Sequence, residues 1–365
     1  MTSQLFTPFA LRGLTLPNRI VIPPMCQYSA TDGIVGDWHL MHWGMLSHSG
    51  AGLLIQEATA VTPEGRITPG CAGLWSDAQA DAWARVMESV RRYSAMPMAV
   101  QLAHAGRKAA TAMPWRGGAQ LPVSHGGWPT VAPSALPFSP TDALPTPLDD
   151  SGMARIRQAF AAAARRADRI GMDALELHAA HGYLLHEFLS PLSNQRTDAY
   201  GGSLENRLRF PLEVFQAVRE VWPSNKPLWV RVSATDWMEG GWDVEQTVVL
   251  GLALKERGCD ALHVSTGGLD ERQQIAVIAP GFQVAFAQRL REATGLPTMA
   301  VGLITQPQQA EDIVVQGQAD LVAVGRGILN DPRWPWHAAQ ALGAKIKAPP
   351  QLWRAVPPKQ DMFEK

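Results

Sequence analysis

Two imidazoles and one phenol lie within six residues of each other near the middle of the chain, as His178, His181 and Tyr183. They directly follow an apolar segment, residues 174–177, with the composition of a buried strand. A histidine can hydrogen-bond a carbonyl oxygen or an anion, and a tyrosine can donate a proton. Each residue alone is more often a core or loop residue satisfied locally. Together they predict a site that polarises a substrate and protonates it.

Eight strand-like stretches along the chain would have to position these residues. They are short, aliphatic or β-branched, and mostly bounded by glycine or proline. The predicted strands are residues 19–25, 52–61, 98–104, 174–178, 228–233, 261–265, 298–301 and 320–324. Segments with helical period separate them, for example at 83–90, 156–170 and 208–218. Near the end of the chain, Thr305 and Asp331 are predicted to open helices that Gly317 and Gly343 close.

This regular alternation predicts an α/β fold, a single (β/α)8 TIM barrel spanning residues 1–365 as one domain. An open doubly wound sheet is the alternative, but the chain has no G-x-G-x-x-G motif after a strand. Residues 105–150 carry eight prolines and no clear periodicity. This Pro-rich excursion after the third strand is predicted to be a lid or binding loop on the catalytic side.

Composition excludes several classes of protein. The net charge of -1 gives no electrostatic footprint for nucleic acid or anionic lipid. The three cysteines, Cys26, Cys71 and Cys259, are widely spaced, which argues against a disulfide framework and for a reducing compartment. No secretory signal and no apolar run of roughly 18 residues is found. We therefore expect a cytoplasmic protein that binds neither nucleic acid nor membrane.

Two polar residues, Gln101 and Arg231, lie inside the predicted barrel near its catalytic end. An unpaired buried amide or charge is costly, so both need a partner. A polar heterocycle across the barrel mouth would satisfy them, because glutamine can pair with a pyrimidine edge and arginine can neutralise charge on a ring nitrogen. Flavin mononucleotide (FMN) has this chemistry. The alternative for Arg231 is an internal salt bridge, for instance to Glu57.

The last two predicted strands both end in glycine, at Gly302 and Gly325, and Arg326 follows the second. TIM barrels commonly bind phosphate at the loops after strands seven and eight, where backbone N–H groups converge. Arginine binds phosphate by charge-assisted hydrogen bonds. These residues predict a phosphate site. The alternative is that Gly325 and Gly327 only form a tight turn.

Long, ordered motifs along the whole chain resemble the Old Yellow Enzyme family of FMN-dependent ene reductases. Among them are residues 24–28, 101–108, 178–184 and 189–207. Cys26, where many members carry threonine, is similar to the branch called thermophilic-like, which includes bacterial NADPH dehydrogenases. The resemblance implies an NADPH oxidoreductase that reduces activated C=C bonds of α,β-unsaturated carbonyl and related electrophilic compounds, by ping-pong hydride transfer through flavin.

The resemblance also implies a role for individual residues. His178 and His181 would hold the substrate carbonyl, Tyr183 would protonate the α-carbon, and Tyr28 would close over the substrate. The residues implied to bind FMN are Pro23, Pro24, Met25, Cys26, Ala58, Gln101, Arg231, Gly302, Gly325 and Arg326. Trp353 and Arg354 match a tail that reaches the active site of a neighbouring subunit, which implies a homodimer or homotetramer. No metal is expected.

Two other functions compete with this interpretation. In a metal-dependent barrel hydrolase, His178 and His181 could ligate zinc, but two residues at a strand end would face different ways and no compact carboxylate or histidine group completes the site. A non-catalytic flavin-binding barrel is the second alternative. Tyr183 beside two histidines argues against it, because a carrier needs no proton donor.

Overall fold

The computed structural model describes residues 3–356 and 362–364, in which strands and helices alternate. The strands are β1 (Phe9–Leu11), β2 (Leu14–Leu16), β3 (Ile20–Ile22), β4 (Leu53–Ala60), β5 (Met98–Ala103), β6 (Val131–Ala132), β7 (Thr146–Pro147), β8 (Ala174–Ala179), β9 (Leu228–Ser233), β10 (Leu262–Ser265), β11 (Thr298–Ala300), β12 (Leu321–Ala323), β13 (Ile346–Lys347) and β14 (Phe363–Glu364). The helices are α1 (Asp37–Ser47), α2 (Asp77–Arg91), α3 (Asp150–Arg169), α4 (Leu184–Leu189), α5 (Leu204–Val221), α6 (Val244–Glu256), α7 (Val284–Thr294), α8 (Pro307–Val315), α9 (Arg326–Asn330) and α10 (Trp334–Ala341).

Eight parallel strands close into a barrel in the order β3-β4-β5-β8-β9-β10-β11-β12. The ring closes between the last and the first of them, where Val322 pairs with Ile20. The predicted (β/α)8 barrel is therefore confirmed, and the open doubly wound sheet is wrong. The first strand is shorter than predicted and ends at Ile22, because Pro23 and Pro24 follow and proline has no N–H for the ladder.

The barrel is held together by strands that are buried on both faces. All eight positions of β4 are buried, as are all six of β8. The helices outside pack one apolar face onto the strands, as α3 does with the fully buried Ile156 and Phe160. Each such side chain stabilises the fold by roughly 1.5–3 kcal/mol. Among the described helices, none combines the length and apolar character needed to cross a bilayer.

The predicted N-caps of two late helices are wrong by one and two residues. Helix α8 begins at Pro307 with Gln306 as its N-cap, because the fixed φ of proline suits the first helical position. Helix α10 begins at Trp334, and Asp331 instead accepts a hydrogen bond from the Arg333 N–H at 2.9 Å in a turn before it. The predicted ends are confirmed: Gly317 and Gly343 follow these helices with φ of 68° and 64°.

The Pro-rich excursion leaves the carboxyl end of β5, as predicted. It contains the paired strands β6 and β7 and three single 3₁₀ turns, at Gly106–Lys108, Pro114–Arg116 and Val123–His125. Trp128 fastens it to the loop after β4 by donating from Nε1 to the Glu64 carbonyl at 2.8 Å. The excursion is thus an ordered cover on the end of the barrel where the strands finish.

Candidate active site

The structure brings the three predicted catalytic side chains together at the carboxyl end of β8. The ring centroid of His178 lies 5.1 Å from that of His181 and 5.0 Å from that of Tyr183, both edge to face. The expectation that the two histidines face different ways is wrong. His181 has φ of 59° and Gly182 has φ of 73°. This left-handed turn folds the chain back, so the alternation of a strand no longer applies beyond Ala179.

Hydrogen bonds from neighbouring strand ends hold this turn. The ammonium of Lys108, a half-buried residue after β5, donates to the carbonyl oxygens of His181 at 2.8 Å and Gly268 at 2.7 Å. The His181 N–H donates to the Ser233 hydroxyl at 3.0 Å. Lys108 Nζ also lies 5.2 Å from the Tyr183 ring centroid. The chain therefore fixes the backbone that carries the rings and does not leave it to a free loop.

We expect Gly182→Ala to destabilise the protein more than Gly202→Ala does. Both positions have a left-handed φ, 73° and 78°, so both substitutions cost about 1–2 kcal/mol of conformational strain. A Cβ at 182 would lie 2.3 Å from the Gly268 carbonyl oxygen, whereas at 202 it would meet nothing within 4 Å. Urea unfolding of both variants measures the difference. Equal losses of unfolding free energy would show that the turn can shift freely.

Burial sets the protonation states of the cluster. It lowers the pKa of His178 and of His181 well below the usual value, and the nearby Arg231 charge lowers both further. Burial also raises the pKa of Tyr183 well above its usual value, with Cys26 adding to the shift and Arg231 opposing it. At neutral pH both imidazoles are therefore uncharged and the phenol keeps its proton. The histidines can act as neutral hydrogen-bond donors and the tyrosine as an acid.

Ser265, at the end of β10, determines which ring nitrogen of His181 carries the proton. Its hydroxyl lies 2.8 Å from His181 Nε2, and either group can be the donor. A neutral imidazole carries one proton. His181 can therefore donate to a ligand from Nδ1 only when Ser265 donates to Nε2. His178 needs no such arrangement, because its buried Nδ1 has no hydrogen-bond partner among the described residues.

The loop after β3 forms the opposite side of the mouth. Its Gln27 N–H donates to Glu57 Oε2 at 3.0 Å, which ties the loop to β4. Tyr28 has φ of 52° and lies with its ring centroid 5.7 Å from that of Trp115 in the excursion. Burial raises the pKa of Cys26, so its sulfur is a thiol. The predicted residues Pro23, Pro24, Met25 and Ala58 lie in this loop and on β4.

The two polar residues predicted inside the barrel have different surroundings. Gln101 Nε2 donates to Glu176 Oε1 at 2.7 Å, so one amide N–H is paired within the protein. Arg231 is buried, and its Nε has no hydrogen-bond partner in the described chain. The alternative of an Arg231–Glu57 salt bridge is wrong, because the Glu57 carboxylate faces His39 at 3.3 Å and the Gln27 N–H instead.

Glycines follow the carboxyl ends of β11 and β12, and the second of them, Gly325, lies next to that loop. Gly302 has φ of 127°, a conformation that side chains rarely adopt. A Cβ on Gly325 would lie 3.4 Å from Pro23 Cγ and 3.7 Å from Met25 Sδ, so the predicted phosphate and flavin residues are neighbours. Gly325 is the N-cap of α9, whose first N–H groups have no partner within the helix. Arg326 is exposed there.

These residues fit FMN. An arginine buried without a partner on Nε needs an acceptor, and the Gln101 amide retains one N–H and its oxygen for a ring edge. The glycine backbone of the last two strand ends offers donors to a phosphate. No group of three or more histidine, cysteine or acidic residues in the described ranges could hold a metal ion.

The C-terminal residues predicted to complete a site lie elsewhere in their own chain. Trp353 donates from Nε1 to the Ala348 carbonyl at 2.9 Å and packs against a cluster that includes Trp336 and Ile346. Arg354 is exposed. Neither residue contacts the ring cluster of the same subunit, so their insertion into a neighbouring subunit stays a prediction.

A cavity of about 570 Å³ lies at the opposite end of the barrel. Asn18, Gly50 and Pro97 line it, and these residues lie one to three positions before β3, β4 and β5. Active sites of this fold lie at the carboxyl ends of the strands. We therefore assign the chemistry to the ring cluster and not to this cavity.

Comparisons with known proteins support a flavin-binding site in this chain. Residues 4–344 match the NADH:flavin oxidoreductase / NADH oxidase family. A protein named NADPH dehydrogenase from Geobacillus thermodenitrificans is 44% identical over 356 residues, 97% of this chain and 99% of that protein. The solved structure of morphinone reductase superposes with a TM-score of 0.77 at 30% identity, covering 100% of this chain and 94% of the other. An old yellow enzyme homologue from Zymomonas mobilis gives 0.77 at 26% identity, covering 94% of each chain.

Fold and site together define a flavin-dependent oxidoreductase built on a TIM barrel. The chain belongs to the NADH:flavin oxidoreductase / NADH oxidase family, and the resemblance to Old Yellow Enzyme is confirmed. It is an enzyme, and its bound cofactor is FMN.

Sequence reasoning missed three residues that shape the site. Lys108 lies within a motif that the resemblance used, but no role followed from it. Ser265 ends a predicted strand without any distinctive pattern. Glu176 had a signal: it is a charged residue in an otherwise apolar strand, two positions before His178, so that both side chains point into the barrel.

Proposed function

We propose that this protein is an NADPH-dependent ene reductase that reduces the C=C bond of α,β-unsaturated carbonyl compounds and related electrophilic alkenes. The observation that carries the proposal is the ring cluster. The neutral imidazole of His181 and the protonated phenol of Tyr183 lie 5.1 and 5.0 Å from the neutral His178 ring, which is the register partner of Arg231. Binding and reducing a flavin alone would need none of these three groups.

His178 and His181 bind the carbonyl oxygen of the substrate. Hydrogen bonds from both rings withdraw electron density from the conjugated alkene and stabilise the negative charge that develops on the oxygen. Their lowered pKa values leave them uncharged, so they donate hydrogen bonds without releasing a proton near pH 7. The chemistry that FMN supplies when bound is two-electron transfer between NADPH and the alkene.

Tyr183 provides the proton for the α-carbon. Its hydroxyl belongs to a ring 5.0 Å from that of His178, so acid and carbonyl-binding group share one substrate. Burial keeps the phenol protonated, and the charge of Arg231 opposes the rise in its pKa. We expect the proton from Tyr183 and the hydride equivalent to reach opposite faces of the alkene, which gives net trans addition. Tyr28 on the other side of the mouth closes over the substrate.

The flavin-binding residues, the reductant, the location and the oligomeric state are proposed as the sequence predicts them. Pro23, Pro24, Met25, Cys26 and Ala58 line the flavin, Gln101 and Arg231 bind its ring, and Gly302, Gly325 and Arg326 bind its phosphate. NADPH is the reductant, as the name of the Geobacillus relative indicates for that protein. The protein acts in the cytoplasm as a homodimer or homotetramer, in which Trp353 and Arg354 reach a neighbouring site.

Three related compounds test the substrate class. We expect cyclohexenone to support NADPH oxidation by the purified protein under anaerobic conditions. Cyclohexene has no carbonyl for His178 and His181 to bind, and cyclohexanone has no alkene, so neither should be reduced. Product analysis after each reaction measures the outcome. Reduction of cyclohexene at a rate similar to that of cyclohexenone would contradict the proposal, as would stoichiometric zinc without flavin, which favours a metal-dependent hydrolase.

A further inference from the structure

A buried carboxylate with no role in the mechanism above, Glu176, lies inside the barrel next to the predicted flavin residues. It is fully buried on β8. Its Oε1 accepts a hydrogen bond from Gln101 Nε2 at 2.7 Å, and its Oε2 accepts from Trp229 Nε1 and His263 Nδ1, each at 2.7 Å. The three donors come from three other strands, β5, β9 and β10. Glu176 is therefore the centre of a buried hydrogen-bond network that joins four barrel strands.

The network fixes the orientation of the Gln101 side chain. An ionised carboxylate can only accept hydrogen bonds, so Gln101 must present its NH₂ group to Glu176. The two residues are register partners on neighbouring strands, which keeps the contact short. The amide oxygen and the second N–H of Gln101 are left for a ligand. Glu176 therefore determines which edge Gln101 offers at the barrel mouth.

The same carboxylate offsets the charge of Arg231. Arg231 pairs in register with His178 on one side and His263 on the other, one layer nearer the mouth than Trp229. Burial lowers the pKa of Arg231, and Glu176 is the first of the groups that raise it again. Burial also opposes ionisation of Glu176, but His263, Arg231 and the hydrogen bonds outweigh it and hold the pKa below its usual value.

We propose that Glu176 is a positioning residue for the flavin, which fixes the Gln101 amide and lowers the reduction potential of the bound cofactor by offsetting the charge of Arg231. The inference rests on the proposed placement of FMN over Gln101 and Arg231. A negative charge near a redox group disfavours added electrons, and charge near the flavin ring is one of the ways a protein tunes it. Removing the charge should therefore make the flavin easier to reduce.

The test measures the midpoint potential of the FMN-loaded protein and the FMN retained after ultrafiltration. We expect Glu176→Gln to raise the potential, with each tenfold preference gained for the reduced form corresponding to about 30 mV for a two-electron couple. FMN retention should fall, because a glutamine that turns its NH₂ towards Gln101 forces that amide to flip. Glu176→Asp keeps the charge, so its potential should stay near that of the unaltered protein.

Glu311→Gln is the matched control. Glu311 on α8 is also buried and accepts three hydrogen bonds, from the Ser3 hydroxyl at 2.6 Å and from the N–H groups of Gln4 and Leu5 at 2.7 and 2.9 Å. The same chemical change there should lower stability and leave the flavin potential unchanged. Equal potentials for Glu176→Gln and the unaltered protein would overturn the inference. So would equal upward shifts for Glu176→Gln and Glu311→Gln.

Trp229→Phe decides the question if Glu176→Gln does not fold. It removes one N–H donor from Glu176 while keeping the carboxylate, so the pKa of Glu176 should rise. The flavin potential should then exceed that of the unaltered protein at acidic pH and approach it as the pH rises. A difference that does not change with pH would contradict the inference.

A further variant separates this inference from the proposed function. Arg231→Met removes a positive charge, so it should lower the potential, the opposite shift to Glu176→Gln. If Arg231→Met leaves both potential and FMN retention unchanged, the placement of the flavin is wrong. If Arg231→Met lowers the potential and Glu176→Gln does not raise it, only the role of Glu176 is wrong.

Discussion

Replacing Tyr183 by phenylalanine is expected to slow the reduction of cyclohexenone about 10²–10⁴-fold, the contribution of a positioned general acid. The ring would stay packed against His178, because the substitution removes only the hydroxyl. Reduction of FMN by NADPH needs no proton from this residue and should proceed at its ordinary rate. Stopped-flow measurement of the two half-reactions separates these effects in one protein.

Tyr200→Phe is the matched control for this prediction. Tyr200 lies outside the barrel mouth, and its hydroxyl donates to Glu213 Oε1 at 3.3 Å. Its loss should change neither half-reaction. If Tyr183→Phe and Tyr200→Phe reduced cyclohexenone equally fast, Tyr183 would have no role as the acid. If Tyr183→Phe slowed the NADPH step as well, it would act on flavin binding and not on proton transfer.

Replacing His178 by leucine is expected to lower the rate of cyclohexenone reduction about 10²–10³-fold, the usual effect of removing one donor from a developing oxyanion. The effect should fall on the alkene half-reaction. Burial and the Arg231 charge lower the pKa of His178. An ordinary histidine titrates at about pH 6.5. The alkene half-reaction of the unaltered enzyme should therefore show no inflection near that pH. A pH profile of the single-turnover rate measures both expectations.

His337→Leu provides the comparison. His337 on α10 is largely exposed and lies 2.7 Å from the Asp331 carboxylate, far from the ring cluster in the fold. We expect it to leave the alkene half-reaction unchanged. An inflection near pH 6.5 that disappears in His178→Leu would show that His178 titrates there, and its assignment as a neutral donor would then be wrong.

The eight barrel strands could be predicted from sequence because each is buried on both faces. Burial on both faces requires continuous apolar residues, and β9 was placed without error at Leu228–Ser233. Helix starts were harder. Thr305 and Asp331 are both good capping residues, but Pro307 and Pro335 set the first turns of α8 and α10 instead. Capping residues and prolines within a few positions of each other both favour a helix start, and sequence alone does not show which of them sets the first turn.

The composition of the site was predictable, but two of its contacts were not. The alternation of side chains along β8 was assumed to continue beyond its last residue, Ala179, so His178 and His181 were expected to face different ways. The left-handed conformation of His181 depends on Lys108, in the loop after β5, and on Ser233, at the end of β9, and no local pattern records that contact. Gln101 was assigned wholly to a ligand because its partner Glu176 is 75 positions away in sequence.

The central claim is that one FMN lies across the barrel mouth between Arg231 and the ring cluster. Anaerobic spectroscopy of the purified protein tests it most directly. We predict one FMN per chain, loss of its visible absorbance when NADPH is added, and return of that absorbance when cyclohexenone follows in the absence of oxygen. A protein that is colourless and binds no added FMN, or a reduced flavin that cyclohexenone does not reoxidise, would contradict the account.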